Sequence, residues 1–114
     1  MYERIDRWKL SEPIWLATTK AEPEQLEAMG PIRFETDADD LGEFKVGFIQ
    51  LGSGLQLMLQ RYANPYLGGT MLFVPEGTAM GPALIEVLAA LGLTREDLAD
   101  VSPDTGAPEG RSGT

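Results

Sequence analysis

Apolar residues recur at every second position in several short runs between residues 14 and 74, and at helical spacing between 79 and 91. Strands therefore come first along the chain and the main helix last. Ile14 to Thr19 is β-branched and aromatic, which predicts a first strand. The stretch from Glu22 to Gly30 predicts a brief helix. Pro23 suits its first position, Glu22 and Glu24 complement the positive end, and Gly30 supplies a left-handed stop. Leu26 and Met29 are the expected buried pair. Ile32, Phe34 and Thr36 alternate with Arg33 and Glu35 as a second strand.

The clearest local signal is a hairpin. Phe44, Val46 and Phe48 alternate along one strand and Leu55, Leu57 and Leu59 along the next, with Gly52-Ser53-Gly54 between them as the turn. These six apolar side chains are expected on one buried face, although Ile49 and Met58 interrupt the alternation. Asn64-Pro65-Tyr66 and Gly68-Gly69 mark a loop, and Thr70 to Val74 is a further strand stopped by Pro75. Near the start, Tyr2, Ile5 and Trp8 suit a helix while Trp8 and Leu10 suit a strand, and the pattern leaves both open until Pro13.

Pro82 stands at a helix start, and Ala83 to Leu91 carries Glu86 as its one charge. Leu84, Leu88 and Leu91 form one face, Ile85 and Ala89 flank it, and Gly92 ends it. So apolar a helix needs cover on more than one stripe, which a symmetric second subunit could supply, so a homodimer through this helix is expected. Thr94-Arg95-Glu96-Asp97 resembles a capping box, predicting a second short helix over 94–100 anchored by Leu93, Leu98 and Val101. From Ser102 the small, polar, Gly- and Pro-rich residues predict a disordered tail. The fold class is then α+β: an antiparallel four- to five-stranded sheet with a C-terminal helical pair packed on one face. A single domain is expected over 1–101, with the tail at 102–114. A chain of 114 residues holds one such core.

Charge narrows the partners. Eighteen acids against nine bases give a formal charge of −9, which repels nucleic acid and anionic membranes and attracts basic proteins. Without cysteine or histidine the chain lacks thiol chemistry, the commonest general base and the commonest transition-metal ligand. No apolar run is long enough to span a bilayer and the N-terminal residues do not resemble a signal peptide, so a cytoplasmic location is expected.

Few residues carry a chemical signal. Glu35, Asp37, Asp39, Asp40 and Glu43 concentrate carboxylates, yet the spacing does not fit a calcium loop, because Leu41 takes a ligand position and no distal glutamate follows. No metal or other cofactor is expected. Ser53 between two glycines reads as a turn, since a serine nucleophile needs a base that the sequence does not place beside it. Arg61, Tyr62, Asn64 and Tyr66, with Asp37, Asp39 and Asp40, are the candidate partner-contact residues, because Tyr and Arg combine large area with polar tips. The expected function is a noncatalytic, acidic protein–protein interaction module for a basic partner, comparable in charge and size to inhibitor and immunity proteins. The alternatives are a homodimeric scaffold, or a carboxylate- or metal-dependent enzyme using residues 35–43.

Overall fold

A computed structural model of the protein describes residues 2–5, 12–63 and 69–106. It is α+β. The elements run β1 (Tyr2–Ile5), β2 (Pro13–Thr19), α1 (Pro23–Glu27), β3 (Glu35–Asp39), β4 (Gly42–Leu51), β5 (Gln56–Tyr62), β6 (Thr70–Pro75), α2 (Met80–Leu91) and β7 (Leu98–Val101). All seven strands join one antiparallel sheet in the order β1-β4-β5-β6-β2-β7, with β3 also paired to β4. The long strand β4 holds two short partners end to end along one edge: β3 opposite Gly42–Val46 and β1 opposite Phe48–Leu51.

The register assigns every strand residue to a face, because directly opposed residues point the same way. One face carries Ile49 and Leu51, then Leu57 and Leu59, then Leu72 and Val74, then Leu16 and Ala17 around a β-bulge. Ala83, Leu84, Val87, Leu88 and Leu91 of α2 close over these, together with Leu26 and Ile32. Gly47 leaves a gap in that face, which the loop before β3 fills. A Cβ there would lie 2.9 Å from the Arg33 carbonyl oxygen and 3.3 Å from Ile32 Cγ2. The opposite face carries Trp15, Phe44, Val46, Phe48, Met58, Gln60, Tyr62, Met71 and Phe73.

This register corrects the hairpin. Leu57 and Leu59 are buried opposite Ile49 and Gly47, whereas Phe44, Val46 and Phe48 stand on the other face opposite Tyr62, Gln60 and Met58. The turn sets the parity. Gln50 pairs with Gln56, and the loop between closes through Leu51 N–H donating to the Leu55 carbonyl at 2.8 Å. With that closure residues of like parity face together, so Phe44 cannot share a face with Leu57.

The sheet is also larger than four or five strands, and its C-terminal helical pair is one helix. Gly92, at φ 68°, ends α2 as its sequence implies. Thr94 and Asp97 do form a capping box, but it closes only a 3₁₀ turn over Arg95–Asp97, and Leu98–Val101 then pairs with β2. Starting a helix costs several fixed dihedrals for one hydrogen bond, while β2 offers a ready edge. Met29 is half exposed, and α1 is anchored by Leu26 together with the buried Pro23. The chain remains folded past Val101. Pro103–Thr105 forms another 3₁₀ turn in which Ser102 and Thr105 are buried, and a Cβ on Gly81 of α2 would meet the Thr105 carbonyl at 3.0 Å. The rest of the expected tail, 107–114, lies outside the described residues, as do Trp8, Leu10 and the loop residues 64–68. Among the described residues no helix is long and apolar enough to cross a membrane.

Candidate interaction site

At the end of the sheet where β4 begins and β5 finishes, its two faces carry different chemistry. Lys45 and Arg61 are directly opposed and continue the row of the buried face. The apolar lining ends there, and α1 supplies acids instead. Glu22 precedes α1, its N–H donating to Gln25 Oε1 at 2.8 Å, and its carboxylate accepts from Arg61 Nε at 2.9 Å. Glu24 lies 3.5 Å from Lys45 Nζ. The Glu24 carboxyl is held below its ordinary pKa, first by its own backbone N–H and then by the Lys45 charge. Arg61 also donates to the Tyr62 carbonyl at 2.7 Å. These groups, with Thr36, Glu43 and Phe44, line a cleft of about 250 Å³.

The other face holds the acids of β3. Asp37 is opposed to Phe44, Glu35 to Val46 and Asp39 to Gly42, so all three carboxylates belong to the side that α2 leaves uncovered. Tyr62 Oη donates to Asp39 Oδ2 at 2.6 Å, and the Tyr62 ring meets Phe44 edge-on with centroids 5.4 Å apart. Donating to an anion makes the phenol hard to ionise. Its pKa is pushed up to about 12, chiefly by the Asp39 hydrogen bond and then by burial. Asp37 and Asp39 also accept from the backbone N–H groups of Ala38 and Leu41, each at 2.8 Å, which fixes the hairpin tip.

The expected contact residues are thus brought together in part. Tyr62 and Asp39 are bonded to one another, Asp37 stands beside them, and Asp40 is exposed at the turn. Arg61 neighbours Tyr62 in sequence but faces the opposite way, toward α1. Asn64 and Tyr66 lie outside the described residues. Glu22, Glu24, Phe44 and Lys45 went unselected by sequence reasoning, and their place follows from a cross-strand register that no local pattern reveals. Among the described residues no three carboxylates converge as metal ligands. Ser53 Oγ accepts from the Leu55 N–H at 3.3 Å as part of the turn. Comparison with protein-family models, curated proteins and solved structures gives no match to this chain, so its functional reading rests on its own residues.

Proposed function

We propose that the protein is a noncatalytic interaction module whose acidic hairpin, β3 with the start of β4, binds a basic protein partner. The observation that supports this reading is the placement of Glu35, Asp37 and Asp39 on one face of one strand. Alternate strand residues stand roughly 7 Å apart, so the carboxylates form a straight row that an extended or helical cationic surface can follow. Lys45 and Arg61 project from the opposite face and are engaged by Glu24 and Glu22. Asp40 and Glu43, exposed at the tip, extend the negative field.

Affinity purification from the native cell at about 0.05 M and about 0.5 M salt tests the reading, since screening weakens such contacts. A basic protein should be retained at low salt, released at high salt, and missed by Asp37→Asn/Asp40→Asn with an unchanged melting temperature. Retention of the same protein by that variant at both salt levels would defeat the proposal. A homodimeric scaffold is a second reading, favoured by Ile85, which is 67% exposed beside Ala89 on the outer side of α2. A chain mass by light scattering that halves in Ile85→Ser would support it.

A further inference from the structure

Resting on that reading for its use but not for its geometry, we infer that the tip of the β3–β4 hairpin is a hinged arm, latched to β5 by Tyr62, and that releasing the latch bends the acidic row. Every residue from 35 to 43 is exposed, so the arm places no side chain in the core. Strands β2, β4, β5 and β6 all bury side chains there, and β7 packs Leu98 and Val101 against it. An element that removes little apolar surface from water opens locally at a much smaller free energy than the whole domain.

The base of the arm is fixed and its tip is tied at few points. Below it, Ile32 is buried, Phe34 packs against the core, and the Phe34 N–H donates to Glu27 Oε2 at 2.8 Å. Glu35, the first residue of β3, is engaged as well. On the returning strand Phe44 is partly buried and meets the Tyr62 ring edge-on. Beyond these points the Asp39 carboxylate joins two structures. Its Oδ1 accepts from the Leu41 N–H inside the turn at 2.8 Å, and its Oδ2 accepts from Tyr62 Oη at 2.6 Å. Tyr62 is buried in β5, with β4 between it and β3, so its hydroxyl is a fixed post outside the arm. Among the described residues no other side-chain hydrogen bond ties residues 36–43 to another element. One backbone bond accompanies it, from the Ala63 N–H to the Glu43 carbonyl at 3.0 Å. With the latch made, Asp39 stays in line with Glu35 and Asp37. With it broken, the tip swings from β5, Asp39 and Asp40 leave that line, and the Ala63 amide loses its acceptor.

Amide hydrogen exchange of the full-length protein, followed residue by residue by NMR, tests this, and the Ala63 amide is the reporter. In the unaltered protein it should exchange on the order of a hundredfold faster than the amides that β5 and β6 share. Tyr62→Phe keeps the ring and removes only the donor. It should speed Ala63 about tenfold further and leave the β5–β6 amides unchanged, because a bond to a charged acceptor is lost from the arm alone. Asp39→Asn, remote in sequence from the reporter, should act in the same direction. Exchange of Ala63 as slow as that of the β5–β6 amides in the unaltered protein would overturn the hinged arm. An unmoved Ala63 in Tyr62→Phe would overturn the latch. Equal acceleration of every amide would assign Tyr62 to global stability and overturn it too. No partner takes part in this measurement, so its failure leaves the acidic row as a binding site, and failure of the salt-dependent purification leaves the latch.

Discussion

Leu57→Ala and Met58→Ala, at adjacent positions of β5, should behave differently in a urea melt. Leu57 has no exposed surface, lies opposite Ile49 and belongs to the core that α2 closes. Truncating it to alanine removes three carbons, worth about 2.4 kcal/mol at ~0.8 kcal/mol each. A residual cavity in a close-packed interior adds to this, giving about 3–4 kcal/mol in total. With a urea slope of about 1–2 kcal/mol/M the midpoint should fall by roughly 2 M. Met58 faces the other way and is only partly buried, so its truncation should cost less than about 1.5 kcal/mol. Circular dichroism along the denaturant series measures both. Coincident midpoints, or a larger loss in Met58→Ala, would mean that the opposite parity of β4 and β5 is the buried one, and the register argument would fail.

Gly47→Ala should destabilise by about 1–3 kcal/mol in the same assay, because its Cβ meets a backbone oxygen that cannot rotate away; a neutral result would show that the loop at Arg33 yields freely. The Tyr62 phenol is neutral when protonated, and its folded pKa of about 12 exceeds the ordinary 10, so the folded state holds that proton more tightly. Its contribution to stability is complete below pH 10 and is lost as pH rises through about 12. Asp39→Asn should bring the late-titrating tyrosinate absorbance down toward the ordinary range, and an unmoved titration would contradict the assignment. Truncation after Val101 should lower the melting temperature by several degrees, since Ser102 and Thr105 are buried, whereas an end at Gly106 should leave it unchanged; equal losses in a thermal scan would contradict that boundary.

What the sequence made legible were elements with local chemistry of their own. β2 and β6 are β-branched and aromatic with proline at a border, and α2 closes on Gly92, so each was visible in isolation. The hairpin was visible too, but its facing was not. Both parities of β4 and β5 are apolar, with Phe44, Val46, Phe48 and Met58 on one side and Ile49, Leu51, Leu57 and Leu59 on the other. A period of two carries no direction when both faces are apolar, and the turn closure decides instead. β7 was hidden because its four residues follow a capping signal and gain strand character only from the free edge of β2. At the site, residue type was enough to select Tyr62, Arg61 and the acids. Their division between two faces, and the pairing of Arg61 with Glu22, depend on partners 39 residues apart in the chain.

The position of β2, between β6 and β7, sets an order of assembly. β4, β5 and β6 are consecutive and can form as soon as residue 75 has left the ribosome, because each closes only a short loop. β2, made long before, has no neighbour until β6 exists, and its second neighbour, β7, follows later still, after α2. At about 5–20 residues per second the nascent chain spends seconds with an apolar strand awaiting its edges. Such an edge is a template for other chains. Yield in vivo should therefore depend on how quickly β7 follows β6, and a stall shortly before Leu98 is the point of greatest exposure to aggregation.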